Sequence, residues 1–433
     1  MNKVDKEDFF IFGYLTILAL SVFIMINNKS AGLIPIIAIF LMFVSIFNLK
    51  IGLFSWLLIA PLSSIISDQI QSFPNIILPL ITFGLLVNLV FRKQKLKVDY
   101  RVTKFFILVF SLTLLTTFLN QHYSTVNIVI AFSLNIINCY LLYLVMTNYD
   151  KTLLNVVVSL TLAALVAMAF SFTGEIVNST RLNVGGSIRT LSNILGFASI
   201  LLISILFTTL KQLNIYKKVL IVCVSIILIC GVILTVSRGV IASVIITFIG
   251  LMFFNGYVKR SLTSLFKTFL IVTILISFVF FIGFEFFVKT FESYYIMLER
   301  RLASDQIEGG TGVRQYIWQK TLNSYSYIEL LIGIGIDGFR YKSNSVGLPF
   351  YAHSTFIDIL ASSGIITLVT VISTIIKNAF FIFKNNNVIG FGLLLYTIIS
   401  HLTHGSVTSV LFWIGVSIVM ATNKKYFITD LNK

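Results

Sequence analysis

The chain is 433 residues long, 57% of them apolar and only 11% charged, with a mean hydropathy of +0.98. A chain of that kind carries more apolar surface than one soluble core can bury, which excludes an ordinary soluble fold. Its 32 Lys and Arg against 16 Asp and Glu give a net charge of +16; in such a chain the excess is explained by basic cytoplasmic loops rather than by nucleic-acid binding.

The apolar residues fall in runs of about 17 to 24, long enough to cross a hydrocarbon layer as helices. Breaking the chain at Gly, Pro, Asn and charge clusters gives candidate spans near 9–27, 31–47, 51–67, 74–91, 105–119, 125–148, 153–173, 191–210, 217–235, 239–254, 267–288, 354–376, 387–403 and 406–422. Pro61 and Pro79 fall inside two short ones, so twelve or thirteen spans remain open beside fourteen. The expected fold is all-α: a polytopic transmembrane helix bundle of about 12–14 spans. It forms a single membrane domain over 1–433 with one long extracytoplasmic loop, 288–353, holding short amphipathic helices. The first run lacks a small-residue cleavage site and reads as a retained anchor. Cys139, Cys223 and Cys230 all sit in apolar runs and offer neither a disulfide framework nor a metal site.

Orientation follows from the basic residues. With the amino terminus in the cytoplasm, Arg92, Lys93, Lys95, Lys97, Arg101 and Lys104 share one inner loop, whereas the short outer loops keep only Lys29, Arg181, Arg189 and Arg238. Long loops translocate largely regardless of charge, so the basic residues of 288–353 do not weigh against this. Both termini are expected in the cytoplasm.

Phosphate-loop, zinc-helix and nucleophile-elbow signatures are absent. What remains is a set of polar residues at one membrane face. Arg238, in Ser237-Arg238-Gly239, lies between two apolar runs with almost no loop. An Arg at mid-helix costs about 2.5–3.5 kcal/mol on insertion scales. It either snorkels to headgroups or binds an anion, for which the planar fork of donors suits phosphate oxygens. Arg181 and Arg189 share a loop with Gly185 and Gly186, either as ordinary loop arginines or beside backbone N–H groups open to an anion.

Within the long loop, 292–303 reads as an amphipathic helix, 309–312 as a break, and 313–322 as a second helix with Arg314 in its first turn. A cation there opposes the helix dipole. A turn-rich strip follows, with Gly333, Gly335, Asp337, Gly338, Phe339 and Arg340. His353 then opens an apolar run with Ser354 as expected N-cap. A His there serves as a base toward a hydroxyl or as a hydrogen-bonded interfacial residue. His401, His404 and Asp358 read as structural or secondary.

Four features of this stretch resemble the Wzy-type O-antigen and capsular polysaccharide polymerases and the related O-antigen ligases. Ser237-Arg238-Gly239 is similar to the family's Ser-Arg-Gly turn, and Arg314 to Trp318 to its Arg-x-x-x-Trp helix. Gly333, Gly335 and Phe339 match its Gly-x-Gly-x-x-x-Phe strip; His353-Ser354, Gly364 and Thr367 fit its pattern of His, a polar residue, nine residues, Gly, two residues and Thr. Asp337 stands where the family often has Pro. The resemblance implies a metal-independent, cofactor-free transferase that moves glycan from undecaprenyl diphosphate to an acceptor hydroxyl. It places the chain in a bacterial cytoplasmic (inner) membrane, with the transfer on the outer face.

On this reading His353 is the base and Arg238 and Arg314 hold the diphosphate. Arg181, Arg189, Arg340, Asp337 and Ser354 join the substrate-binding set. Partners are the undecaprenyl-diphosphate-linked donor and acceptor, membrane lipids, a chain-length regulator and a flippase. A polymerase is the first reading. A ligase to lipid A core is the enzymatic alternative, and a lipid-linked oligosaccharide flippase the transport alternative.

Overall fold

A computed structural model describes residues 3–27, 34–63, 65, 72–91, 96–120, 126–149, 152–173, 188–209, 213–235, 237–259, 311–348, 350–403 and 405–423. The expected span 267–288, the expected helix 292–303, Arg181 and His404 lie outside the described residues. The described chain is helical: α1 Lys3–Asn27, α2 Ile34–Phe47, α3 Leu49–Ile59, α4 Ser72–Phe91, α5 Tyr100–Leu119, α6 Val126–Asn148, α7 Thr152–Thr173, α8 Ile188–Thr209, α9 Ile215–Leu234 and α10 Arg238–Lys259. Three short helices follow, α11 Thr311–Leu322, α12 Tyr327–Ile332 and α13 Gly338–Ser345, before α14 Thr355–Asn385, α15 Val388–Thr403 and α16 Val410–Thr422. Seven of these helices are long and apolar enough to cross a membrane, and the apolar helices α1 to α4, α15 and α16 pack among them. The chain is a multi-pass membrane protein.

Lipid tails are as apolar as the helices, so close fit and polar contacts hold such a bundle together. A side chain on Gly52 would run into Ser45, and one on Gly415 into Thr397, so these glycines set how near their helices lie. Asn88 donates to the Ile46 carbonyl at 2.7 Å and Asn138 to the Thr82 hydroxyl at 2.7 Å, tying α4 to α2 and α6. Outward-facing Phe43, Ile107, Phe253, Ile376 and Phe380 form the lipid-facing surface.

The part of the fold that positions the site is a break in α14. Gly364 has φ 76° and ψ 176°, dihedrals essentially restricted to glycine, and splits the helix in two. The carbonyls just before it are taken over by other donors. Ile334 N–H donates to Ala361 O at 3.0 Å, Gly335 N–H to Ser362 O at 2.9 Å, and the Thr367 hydroxyl to Ser363 O at 2.9 Å. The strip Gly333 to Ile336 is thereby stitched to the break, with Ile336 N–H closing on the Thr117 hydroxyl of α5 at 3.1 Å. Thr116 adds a bond to Ser362 O at 2.9 Å, and Thr113 meets Ser363 at 2.7 Å.

Nine residues of helix from Thr355 to Gly364 span ~14 Å, so the strip meets α14 well inside its length. Irregular backbone within a membrane bundle is tolerated only inside protein, and Gly333 to Ile336 are all buried with their N–H groups bonded. α12 hangs beside the strip with Tyr327, Ile328 and Leu331 exposed. Above it, Ile317, Tyr325, Ile334, Phe339, Ala352 and Ala361 form a second small core.

Candidate functional site

The small core fixes the approach to His353. Arg314 and Trp318, one turn apart, share a face of α11. The Trp318 indole N–H donates to the Ala352 carbonyl at 2.6 Å. This helix therefore grips the residue before His353 and carries Arg314 with it. His353 itself is half-buried and left-handed, at φ 50°. That conformation costs about 1–3 kcal/mol in a non-glycine residue, so the Trp318 clamp on one side and the start of α14 on the other hold it there. A Trp318→Phe variant keeps the ring and loses the donor. Activity about tenfold lower is expected, read from initial rates, with an unfolding temperature in detergent lowered by only a few degrees.

Ser354 occupies the N-cap position of α14 with extended backbone, and its carbonyl accepts from Asp358 N–H at 3.0 Å. Its side chain makes no capping bond, which departs from the expected role. The Asp358 side chain instead accepts from Val407 N–H at 2.7 Å, so the buried carboxylate ties the α15–α16 connection to the first turn of α14. His401 is buried and bonded on both ring nitrogens, with Ser400 at 2.9 Å, Thr397 O at 3.0 Å and Ser409 at 3.1 Å. This is a structural histidine.

The other polar residues of the strip converge on the same surface. The Arg340 guanidinium lies 3.9 Å from the Asp337 carboxylate and 4.6 Å over the Tyr351 ring, whose centroid is 6.4 Å from that of His353. Burial raises the Asp337 carboxyl above its ordinary range, and Arg340 opposes that shift. Asp337 sits at φ 67°, which the proline ring cannot adopt, so the strip here differs in backbone from one carrying Pro at that position. The Glu329 carboxyl, although burial pushes it up, is held below its ordinary range by Lys342 at 2.8 Å and by its capping box with Ser326, which locks α12 to α13.

Arg238 and Arg189 belong to a different part of the bundle but to the same end. Gly196 faces Tyr396 and Gly392 faces Ser204, so α8 runs antiparallel to α15. Gly250 lies against Leu395, and Phe254 stacks on Phe391 at 4.3 Å, so α10 does too. α15 ends at the connection that Asp358 ties to α14. Arg238, exposed at the first residue of α10, and Arg189, the second residue of α8, therefore stand at the end that carries His353. The path from Arg238 to the loop core runs through α15, which packs on both α10 and α14. The amino termini of α8, α10 and α14 add positive dipole ends to that face.

The threonines of α5 are the residues that sequence reading passed over. Thr113, Thr116 and Thr117 recur at i, i+3 and i+4, a polar stripe in the apolar second half of the helix. That spacing is the signal by which they could have been found. Compared with known proteins, residues 223–372 match the family model described as Wzy_C, O-antigen ligase. The matched segment contains Arg238, Arg314, the glycine strip, His353 and the Gly364 break. It supports a membrane glycosyltransferase of the O-antigen ligase and polymerase kind. No curated protein matches the chain.

Proposed function

We propose that the protein is a polysaccharide polymerase. It transfers a glycan from undecaprenyl diphosphate to a hydroxyl of a second lipid-linked repeat unit, on the outer face of the cytoplasmic membrane. The observation that carries this reading is the clamp on His353: Trp318 fixes Ala352, while the Gly364 break fixes the helix that follows. In the transfer, the bond from the anomeric carbon to the diphosphate oxygen breaks and a bond to the acceptor oxygen forms. The acceptor proton passes to His353, and the charge left on the diphosphate is met by Arg314 and Arg238, with Arg181 and Arg189 as further contacts. Arg340, Asp337 and Ser354 complete the substrate-binding set. Diphosphate is itself a good leaving group, so the step draws on preorganised positive charge, where one such donor is worth about 2.7–4 kcal/mol.

Ligation to a lipid A core sugar uses the same chemistry with a different acceptor, and the matched family carries that name. The two separate in cells. Deleting the gene and running surface polysaccharide on a gel is expected to show single repeats in place of long chains. Long chains accumulating on carrier lipid would mark a ligase instead.

A further inference from the structure

Toward the end of the bundle opposite His353, a cavity of about 240 Å³ opens between the start of α5, the last turns of α6 and α16 and the second half of α14. Its floor is apolar, with Val102, Phe105, Phe381 and Met420, and its rim carries Arg101 and Lys377. Both cations are exposed, and among the described residues neither forms an ion pair. The carboxylate in the lining, Asp99, is engaged otherwise: it caps α5 through Arg101 N–H at 3.1 Å and accepts from the Tyr143 hydroxyl at 3.4 Å. Asn378 and Asn423 are bonded to each other at 2.9 Å and close the far wall.

We infer that this cavity is a binding site for the phosphate-bearing headgroup of an anionic phospholipid in the leaflet opposite the candidate active site. Four features select that class. Two cations on one rim suit a phosphate diester and disfavour a headgroup that brings its own cation. The apolar floor suits the glycerol and first acyl carbons. The volume accepts a headgroup, and Ile376 and Phe380, exposed on the same stretch of α14, give the acyl chains a path back into the bilayer. Arg101 at the second residue of α5 and the end of α16 beside it put the rim at headgroup level. A soluble phosphate compound would share the rim chemistry but would leave the floor against water. The site is separate from the transfer chemistry proposed above and stands or falls independently of it.

The test is native mass spectrometry of the full-length protein released from mixed micelles of phosphatidylglycerol and phosphatidylcholine. One phosphatidylglycerol should be retained in preference to phosphatidylcholine by about tenfold. The preference should vanish in the Arg101→Gln/Lys377→Gln double variant. It should persist in Lys217→Gln/Lys218→Gln, which removes two cations, one exposed and one half-buried, from the start of α9 at the same end of the bundle. Inorganic phosphate and glycerol phosphate, added in excess, should not displace the lipid. Retention of the preference by the first double variant would overturn the site. Displacement by glycerol phosphate would overturn the lipid and leave a soluble anion. Equal retention of the two lipids would overturn the charge argument.

Discussion

Replacing His353 with glycine should abolish most transfer while leaving the fold intact. General-base catalysis by a positioned side chain contributes about 10²–10⁴-fold, and that is the expected loss in turnover. Glycine is the informative replacement because the native residue is left-handed, at φ 50°. Glycine adopts that conformation without strain, so any fall in rate reflects the missing imidazole rather than a distorted entry to α14. The side chain is half-buried and contributes to neither apolar core, so little stability is at stake. Donor binding, measured separately with a labelled lipid diphosphate, should persist, because the clamp on that group is assigned to arginines. Arg314→Ala is the counterpart, expected to weaken donor binding and rate together. Near-normal turnover in the glycine variant would remove His353 from the mechanism.

The second large effect is expected far from any reacting group. A Gly364→Ala substitution places a methyl group on the Leu331 carbonyl oxygen and within 2.5 Å of the Ile332 carbonyl carbon, at dihedrals closed to alanine. Unfavourable dihedrals cost about 1–3 kcal/mol and overpacking a similar amount, so several kcal/mol are lost together. The loss falls on the seam where α12 and the strip meet α14, and both are expected to detach. Thermal unfolding in detergent should shift down strongly, and protease should cut within 327–345. Gly347→Ala supplies the control, because Gly347 is also left-handed, at φ 78°, but faces open space. It should cost about 1 kcal/mol and leave transfer intact. Equal effects at the two positions would show that the seam is not what Gly364 serves.

These two positions also show how far the sequence could be read. The helices were visible because apolar runs bounded by Gly, Asn and charge need no tertiary information. Their ends mostly fall within a few residues of expectation, as with 126–148 and 388–403. The motif residues were visible as a pattern, but their physical purpose was not. Nothing in the spacing around Gly364 says that it breaks a helix, because the carbonyls the break exposes are taken up by a strip thirty residues earlier. Thr113, Thr116 and Thr117 were missed for the same reason, since their partners lie more than 200 residues away. Ser354 takes the expected N-cap position without the side-chain bond, and the Asp358 carboxylate holds the neighbouring connection. Arg238 and Arg189 could be placed on one face from loop parity alone, and the antiparallel packing of α8 and α10 on α15 puts both helix starts at the His353 end.

This chain alone is expected to join lipid-linked glycans through that end of the bundle. The decisive experiment reconstitutes the purified protein in lipid nanodiscs with undecaprenyl-diphosphate-linked repeat units and no nucleotide sugar. Glycan ladders longer than one repeat are expected, with one undecaprenyl diphosphate released for each bond formed. Unchanged repeats and no released diphosphate from protein shown to be folded and donor-bound would contradict it.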